Sequence, residues 1–393
     1  MNKKFIPYSK HSINKFDIKS VISVLKSGWL TQGPKVPLFE KKISKYVGAK
    51  YAIAVNSATS GLHLCCKALG VKKNDIVWTT SNTFISTANV ALLCGAKIDF
   101  VDIDINTNNI CIQKLKEKLE KTKTKNLPKI LIPVHIGGYS CDMKKISDLS
   151  KKYNFKVIED ASHALGSKYY NHKVGSCKFS EMTVFSFHPV KNITTGEGGM
   201  ILTNKKILSD KVRSLRTHGI NYDTTKFENK LSNLKGYYQQ IDLGLNYRMS
   251  DISAALGISQ LKRLKVFLKK RNLIAKYYEK ELENLPLIKP IINKNYYSAF
   301  HLYIIKINTK NSFVLRDRIF NKLLKSNFKV NIHYIPVHTH PYYKKLGFKK
   351  NQFNDSLKYY KTAISIPIFP DLRKKDQNRI IQIIKSFFIN EFK

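Results

Sequence analysis

The chain has 393 residues, of which 43% are hydrophobic and 11% aromatic, enough for two domains or one large domain with a smaller appendage. Its formal net charge of +42 suggests a nucleic acid or an anionic surface as partner, but the lysines are spread along the whole chain and no DNA-binding module is recognisable. Specific nucleic-acid binding is therefore not expected, and a basic non-enzymatic protein is only a remote alternative, although such a surface would attract anionic substrates.

The N-terminus, one uncharged run and the cysteines favour a cytoplasmic protein without membrane association. No apolar segment typical of a signal peptide opens the chain. The uncharged run at 76–96 is about long enough to span a bilayer, but it is rich in Thr, Ser and Asn, so no membrane helix is predicted. The six cysteines show no C-x-x-C spacing and are typical of reduced thiols.

The first predicted elements are an extended arm at 6–7, a helix over 15–25, a Gly/Pro-punctuated loop over 27–34, a helix over 36–46 and a strand over 51–55. The strand runs into the turn N-S-A-T-S-G at 56–61 and a helix over 62–69. Small hydroxylated residues at such a turn leave backbone amides free at a helix N-terminus, where a phosphate binds well. An ordinary N-cap is the competing interpretation.

Short apolar runs then alternate with helical patterns, which is typical of an α/β sheet covered by helices on both faces. Ligands of such sheets bind at the carboxyl ends of the strands. Strands are predicted at 76–80, 97–101, 129–134, 155–158, 183–187 and 200–203, with helices at 113–119 and 143–153 between some of them.

Two of these strands lead into residues with catalytic potential, Asp160 and Lys191. A strand-end lysine is commonly a solvated rim residue, but a desolvated lysine amine can form Schiff bases with carbonyl groups. An acid beside such a lysine is what pyridoxal phosphate requires, because the acid keeps the ring nitrogen protonated while the lysine holds the aldehyde. Asp160 and His163 could also suggest a metal pair, but no further ligand lies at suitable spacing and Lys191 would repel a cation.

The pattern S-F-H-x-x-K-x-x-T-T-G-E-G-G at 186–199, preceded by E-D-A-x-H-A-L-G at 159–166, resembles the pyridoxal-phosphate sugar aminotransferases of the DegT/DnrJ/EryC1/StrS family. The resemblance extends from the I-P-Y arm at 6–8 to the segment at 333–343. It implies an α/β protein of aminotransferase fold type I, with a large cofactor-binding domain, assigned to 1–250, that contains a mostly parallel mixed sheet. It also implies a smaller α+β C-terminal domain, assigned to 251–393.

The resemblance further implies roles for individual residues, with Lys191 as the catalytic lysine. The implied cofactor contacts are Ala58, Thr59 and Ser186 at the phosphate, Phe84 stacked on the ring, Asp160 at the ring nitrogen, His163 beside the ring, and Asn246 supplied by a partner subunit. The implied substrate contacts are Tyr8, Trp29, Leu30, Thr31, Asn331, His333 and Tyr334. On the residues alone, an isolated Phe favours the core, and the N-Y-R-M stretch at 246–249 fits an ordinary helix-start loop equally well.

The C-terminal part is predicted to contain a Tyr-rich loop over 228–240, helices over 253–268, 272–285 and 314–326, and strands over 300–307 and 329–332. Three histidines, at 333, 338 and 340, invite a zinc site. Two prolines and the aromatic residues around them favour instead a rigid loop that lines a pocket. No metal site is predicted.

The resemblance implies transfer of an amino group from L-glutamate to a UDP-linked keto-sugar by a homodimer with shared active sites. His163 and the motif details resemble the branch that aminates C4 of UDP-2-acetamido-2,6-dideoxy-β-L-arabino-hex-4-ulose in pseudaminic acid synthesis, which serves flagellin glycosylation. Another keto-sugar, of the bacillosamine, perosamine or 4-amino-4-deoxyarabinose type, remains open. The dehydratase branch carries histidine in place of the lysine, so Lys191 argues against it. The role of Glu197 stays open.

Overall fold

The computed structural model describes residues 5–221 and 236–391. The strands are β1 (Ile6–Pro7), β2 (Tyr51–Val55), β3 (Ile76–Thr80), β4 (Lys97–Val101), β5 (Ile130–Ile132), β6 (Lys156–Asp160), β7 (Lys168–Tyr169), β8 (His172–Lys173), β9 (Met182–Ser186), β10 (Gly199–Thr203), β11 (Ile220–Asn221), β12 (Gln239–Gln240), β13 (Leu287–Ile288), β14 (Tyr296–Tyr297), β15 (Tyr303–Ile307), β16 (Phe328–Lys329) and β17 (Ala363–Ile366). The helices are α1 (Lys15–Leu25), α2 (Lys35–Val47), α3 (Ala58–Ala68), α4 (Ile85–Leu93), α5 (Ile112–Lys121), α6 (Met143–Tyr153), α7 (Lys206–Leu215), α8 (Asp251–Glu281), α9 (Ser312–Lys325), α10 (Pro341–Lys345), α11 (Asn354–Thr362) and α12 (Lys374–Glu391).

Seven strands form one central sheet in the order β2-β10-β9-β6-β5-β3-β4. The strands from β9 to β4 are parallel to their neighbours, and β10 runs antiparallel to both β2 and β9. Alternate residues of a strand face opposite sides, so Val184 packs into the core on one side of the sheet and Phe185 into the core on the other. Burial on both faces explains why these strands appear as continuous apolar runs. The predicted mostly parallel mixed sheet is confirmed.

Helices cover both faces of this sheet. One face packs against α3, α4 and α7, with Leu62, Val90 and Val212 fully buried. The other face packs against α2 and the first half of α8, around Phe39 and Phe185. No helix within the two described ranges is long and apolar enough to cross a membrane.

The longest helix, α8, corrects one prediction. It runs for 31 residues without a break, whereas the sequence pattern predicts two helices, over 253–268 and 272–285. That prediction is wrong because the charged cluster at 269–271 interrupts the apolar pattern, yet Arg271 is fully buried and its guanidinium donates to three backbone carbonyls. The first half of α8 packs on α1 and α2 and the second half on the C-terminal core, and the domain division at residue 250 stays a prediction.

The C-terminal region builds a second, smaller core on the antiparallel sheet β13-β15-β17, with α9 and α12 packed against it. The N-terminal arm joins this region, because β1 pairs in parallel with β16.

The strand predicted at 329–332 is shorter in the structure and ends at Lys329. The loop predicted over 228–240 lies outside the described residues as far as residue 235.

Candidate active site

Neighbouring strands bring several of the predicted cofactor residues to one edge of the central sheet. Ser186 at the end of β9 lies opposite Gly199, which in turn lies opposite Val55 at the end of β2. Asp160 ends β6 beside Val184 of β9. Since ligands of open α/β sheets bind at the carboxyl ends of strands, this edge is the candidate active site.

The turn between β2 and α3 has the geometry of an anion site. Ser57 caps the helix, and its Oγ accepts the N–H of Ser60 at 3.1 Å. The first amides of the helix, at Ala58 and Thr59, have no partner within the helix and carry the positive end of its dipole. A Cβ on Gly199 would lie 2.7 Å from the Ser57 carbonyl carbon, so only glycine lets β10 approach this turn. The cradle fits a phosphate group.

The carboxylate of Asp160 is buried and held at both oxygens. Its Oδ2 accepts the hydroxyl of Thr87 at 2.7 Å, and its Oδ1 accepts the N–H of Ser162 at 3.1 Å. Thr87 lies on α4 and shares a hydrogen bond of 2.9 Å with the hydroxyl of Thr83. These contacts fix the orientation of a carboxylate that fits the protonated ring nitrogen of pyridoxal phosphate.

Lys191 lies on a turn held by backbone and side-chain hydrogen bonds. Its N–H donates to the carbonyl of His188 at 2.9 Å, and Thr194 Oγ1 donates to the carbonyl of Phe187 at 3.1 Å. The side-chain amide of Asn192 donates at 2.9 Å to a backbone carbonyl of the E-D-A-x-H-A-L-G motif. The turn therefore connects the lysine directly to the segment that carries the acid.

The half-buried amine of Lys191 is easier to deprotonate than an ordinary lysine. Burial lowers its pKa to about 8, although the charges of Asp160 and Glu197 act in the opposite direction. At neutral pH about a tenth of such an amine is neutral and able to attack a carbonyl carbon. Glu197 itself is exposed, and its carboxylate lies 3.8 Å from Nε2 of His188.

His163 is a neutral imidazole with a defined tautomer. The N–H of Gly137 donates to its Nδ1 at 3.3 Å, so the ring proton resides on Nε2, which lies 3.0 Å from the hydroxyl of Tyr334. Burial, with the nearby charge of Lys191, holds the pKa of His163 well below its usual range. Because the hydroxyl oxygen of Tyr334 accepts a hydrogen bond from the Nε2–H of His163, the phenolic proton of Tyr334 is available to another acceptor. The ring of His301 lies 4.5 Å from that of His163, centroid to centroid.

A loop of the C-terminal region docks on the residues that follow β3. The N–H of Tyr334 donates to Asn82 Oδ1 at 2.9 Å, and the N–H of Val337 donates to the carbonyl of Ser81 at 2.8 Å. Phe84, at the start of α4, keeps 52% of its surface exposed, and its ring centroid lies 5.8 Å from that of Tyr334. An exposed aromatic face at this position fits a platform for a planar ring.

The residues predicted on the sugar side are only partly brought together. The ring of Tyr8 lies 4.9 Å from the ring of His333, and His333 Nδ1 lies 2.8 Å from the hydroxyl of Ser365. Asn331 is exposed next to them, with its side-chain amide 3.5 Å from Nε2 of His333. The ring of Tyr334 follows, with its centroid 5.1 Å from that of His333, so the three rings lie next to one another.

The loop over 27–34 is anchored to the start of α8. The carboxylate of Asp251 accepts the N–H of Gly33 at 2.8 Å, and its own N–H donates to the carbonyl of Leu30 at 2.9 Å. Thr31 forms a β-bridge with the residue before Asp251. Trp29 and Leu30 are 58% and 50% exposed. The backbone of this loop is fixed while its apolar side chains stay open.

Asn246 is also exposed, and its backbone runs beside the turn between β2 and α3 of its own chain. Its carbonyl lies 3.5 Å from the side-chain amide of Asn56, and the carbonyl of Tyr247 accepts the N–H of Asn56 at 2.9 Å. The contact that the resemblance implies for Asn246 of the partner subunit stays a prediction.

Sequence reasoning missed three residues that orient the predicted ones: Thr87 at the acid, Gly137 at the imidazole and Asn82 at the docked loop. Thr87 lies within a hydroxyl-rich stretch that follows a strand end, which is a signal that could have been used. Gly137 and Asn82 act through contacts 26 and 252 residues away in the chain, which no local pattern shows. Among residues 5–221 and 236–391, no group of three or more His, Cys, Asp and Glu side chains is arranged for a metal ion.

The comparison with known families agrees with this geometry. Residues 11–385 match the model of the DegT/DnrJ/EryC1/StrS aminotransferase family. The chain belongs to this family. It is a sugar aminotransferase that depends on pyridoxal phosphate, as the sequence motifs predict.

Relatives and solved structures match nearly the whole chain. The UDP-4-amino-4,6-dideoxy-N-acetyl-β-L-altrosamine transaminase of Campylobacter jejuni, serotype O:23/36, is 43% identical over 373 residues, 94% of each chain. The structure of Helicobacter pylori PseC, an aminotransferase of pseudaminic acid biosynthesis, matches 98% of this chain and 100% of its own, with a TM-score of 0.89 and 30% identity. The pyridoxal-phosphate form of a putative sugar aminotransferase, Spr1654 of Streptococcus pneumoniae, matches 99% and 100%, with a TM-score of 0.89 and 27% identity.

Proposed function

We propose that this aminotransferase transfers the amino group of L-glutamate to C4 of UDP-2-acetamido-2,6-dideoxy-β-L-arabino-hex-4-ulose, in pseudaminic acid biosynthesis. The observation that carries the proposal is the placement of Asp160 and the Lys191 turn at one sheet edge beside a phosphate cradle. The choice of acceptor is supported by the similarity to the Campylobacter transaminase and by His163, whose neutral ring orients the hydroxyl of Tyr334.

Each residue of the site has a distinct task in the proposed reaction. Pyridoxal phosphate, when bound, supplies a ring that withdraws electrons from the carbon bearing the transferred amine. Asp160 would accept a hydrogen bond from the protonated ring nitrogen, and Ala58, Thr59 and Ser186 would bind the phosphate. Lys191 would hold the aldehyde. Its free Nζ would take the proton that leaves Cα of glutamate in the first half-reaction and would deliver the proton that C4 of the sugar gains in the second.

The proposed homodimer is supported by the exposed apolar residues of the N-terminal region. Phe16, Ile18 and Leu25 on α1 are each more than half exposed, and Trp29 and Leu30 follow on the loop that is anchored to α8. Single exposed apolar side chains are common, but a run of large ones marks an interaction surface. In the proposed homodimer, Asn246 of the partner subunit would contact the cofactor phosphate.

Absorbance spectroscopy tests the cofactor chemistry. The wild-type protein loaded with pyridoxal phosphate should show a band at about 410–430 nm that moves to about 330 nm when L-glutamate is added. Lys191→Ala should lack the form that borohydride reduces onto the protein, whereas Lys205→Ala, a change at an exposed lysine, should behave as wild type. A wild-type protein without a visible band would contradict the role of Lys191.

Product analysis tests the acceptor. Mass spectrometry and NMR of reactions with a panel of UDP- and GDP-linked keto-sugars should show amination at C4 of the proposed sugar with the largest kcat/KM. A larger kcat/KM for a precursor of bacillosamine, perosamine or 4-amino-4-deoxyarabinose type would replace the proposed substrate while keeping the reaction class.

Sedimentation tests the proposed homodimer. The loaded enzyme should have twice the 45.2 kDa mass of the chain.

A further inference from the structure

Arg271 is a fully buried cation without a carboxylate partner among the described residues. Its Nη1 donates to the carbonyls of Phe300, His301 and Ile368 at 3.1, 3.2 and 2.9 Å. Burial lowers the pKa of Arg271 to about 9, so the side chain stays charged at neutral pH. Burying a charge that only dipoles compensate is expensive, and a well-packed apolar side chain could fill the same space at lower cost. A buried arginine at this position therefore indicates a role for Arg271 besides packing.

The second terminal nitrogen of Arg271 starts a directed chain of hydrogen bonds. Nη2 donates to Oγ of Ser9 at 3.3 Å, and Ser9 in turn donates its hydroxyl proton to the carbonyl of Val190 at 2.9 Å. Each group donates toward the lysine turn, and a charged first donor polarises the hydroxyl and strengthens the next bond. Ser9 is 3% exposed, so water does not compete effectively for these bonds.

The chain ends on the peptide bond that carries Lys191. The Val190 carbonyl and the Lys191 N–H belong to the same peptide unit, and that N–H donates to the carbonyl of His188 at 2.9 Å. Both polar atoms of the unit are therefore held, one by the local turn and the other by Ser9. Rotation of this unit would change the direction in which the Lys191 side chain enters the pocket.

We propose that Arg271 is a positioning residue for Lys191, acting through Ser9 on the Val190–Lys191 peptide. Three carbonyls from the C-terminal region and one serine from the N-terminal arm meet on the same guanidinium, so the direction of the lysine is linked to the seating of both segments. The inference rests on the role of Lys191 in the proposed function.

A matched pair of serine variants tests this link. Ser9→Ala removes the connection to Val190, and Ser20→Ala removes a bond of the same kind, since Ser20 Oγ donates to the carbonyl of Ala255 on α8 at 2.9 Å. The measurements are the rate at which the visible band forms when pyridoxal phosphate is added to apo-protein, the pH midpoint of that band, and the thermal unfolding midpoint. Ser9→Ala should slow band formation roughly fivefold, about what one hydrogen bond supports, and shift the pH midpoint. Ser20→Ala should change the rate of band formation by less than twofold relative to wild type. It should leave the pH midpoint unchanged.

Substitutions of Arg271 extend the test. Arg271→Lys keeps the charge, with its N–H donors on a single nitrogen, and should form the band faster than Arg271→Met. Should the methionine variant fail to fold, the serine pair decides alone. Equal rates and equal pH midpoints in Ser9→Ala, Ser20→Ala and a wild type that forms the band would overturn the inference. A wild type that forms no band would refute the role of Lys191, and the inference would fail with it.

Discussion

The residues proposed for the cofactor side of the site and those proposed for its sugar side are positioned in different ways. Asp160, Ser186 and Lys191 follow strands of one sheet, and most of their partners belong to the same sheet, its turns or its covering helices. Tyr8, His333 and Tyr334 come from the N-terminal arm and the C-terminal region, and they meet because these segments pack onto the sheet edge. We therefore expect substitutions on the cofactor side to affect both half-reactions, and those on the sugar side to affect mainly the second.

Asp160→Asn should have the largest effect on catalysis. An amide has nearly the same shape as the carboxylate and can still accept the Thr87 hydroxyl, but it cannot stabilise a proton on the ring nitrogen. Both half-reactions should slow by roughly two orders of magnitude, within the usual range for a group that controls proton transfer. Stopped-flow spectra with L-glutamate, and separately with the keto-sugar, measure the two effects. A loss confined to one half-reaction would contradict the shared role of the cofactor side.

Gly199→Ala should weaken cofactor binding roughly thirtyfold. The new Cβ would approach the Ser57 carbonyl carbon to 2.7 Å, so β10 or the phosphate turn must move, at a cost of about 2 kcal/mol. Gly28→Ala is the matched control, because its Cβ would meet no atom within 4 Å among the described residues. Equilibrium dialysis of pyridoxal phosphate measures both affinities. Equal affinities in the two variants would show that the turn does not bind the phosphate.

Attachment of the cofactor to apo-protein should become faster as the pH rises through about 8. Burial lowers the pKa of Lys191 to this value, and only the neutral amine attacks the aldehyde. The neutral fraction rises from about a tenth at pH 7 to about nine-tenths at pH 9, so the rate should increase roughly ninefold. Rapid-mixing absorbance at fixed ionic strength gives the profile. A midpoint near the ordinary lysine value, above pH 10, would show that the amine is solvated.

Tyr334→Phe has the smallest expected effect and separates the two sides of the site. Loss of the hydroxyl leaves the Nε2 proton of His163 without its acceptor and should destabilise the fold by about 1–3 kcal/mol. The keto-sugar half-reaction should slow roughly fivefold, with the glutamate half-reaction within twofold. Tyr342→Phe, at an exposed tyrosine, controls for the substitution itself. Equal slowing of both half-reactions would place Tyr334 on the cofactor side.

The contrast between the two sides also explains which residues the sequence could predict. The placement of Asp160 and Lys191 at one sheet edge was predictable because each follows a short apolar run within a few residues, and the carboxyl ends of parallel strands meet at one edge. The placement of the turn after β2 at the same edge was predictable for the same reason. The prediction failed at α8, where charged residues appeared to end a helix although Arg271 is buried within it.

By itself, the sequence determined the alternating strands and helices, the mostly parallel sheet, the family and the position of Asp160 and Lys191 near strand ends. These features depend on periodicity and on motifs a few residues long. Only the tertiary structure decided the tautomer of His163, the hydrogen bond of Thr87 to Asp160, and the chain from Arg271 through Ser9 to Val190. Those contacts join residues separated by 26 to 262 positions. Burial makes each of them consequential, since a polar group removed from water must find its partner within the fold.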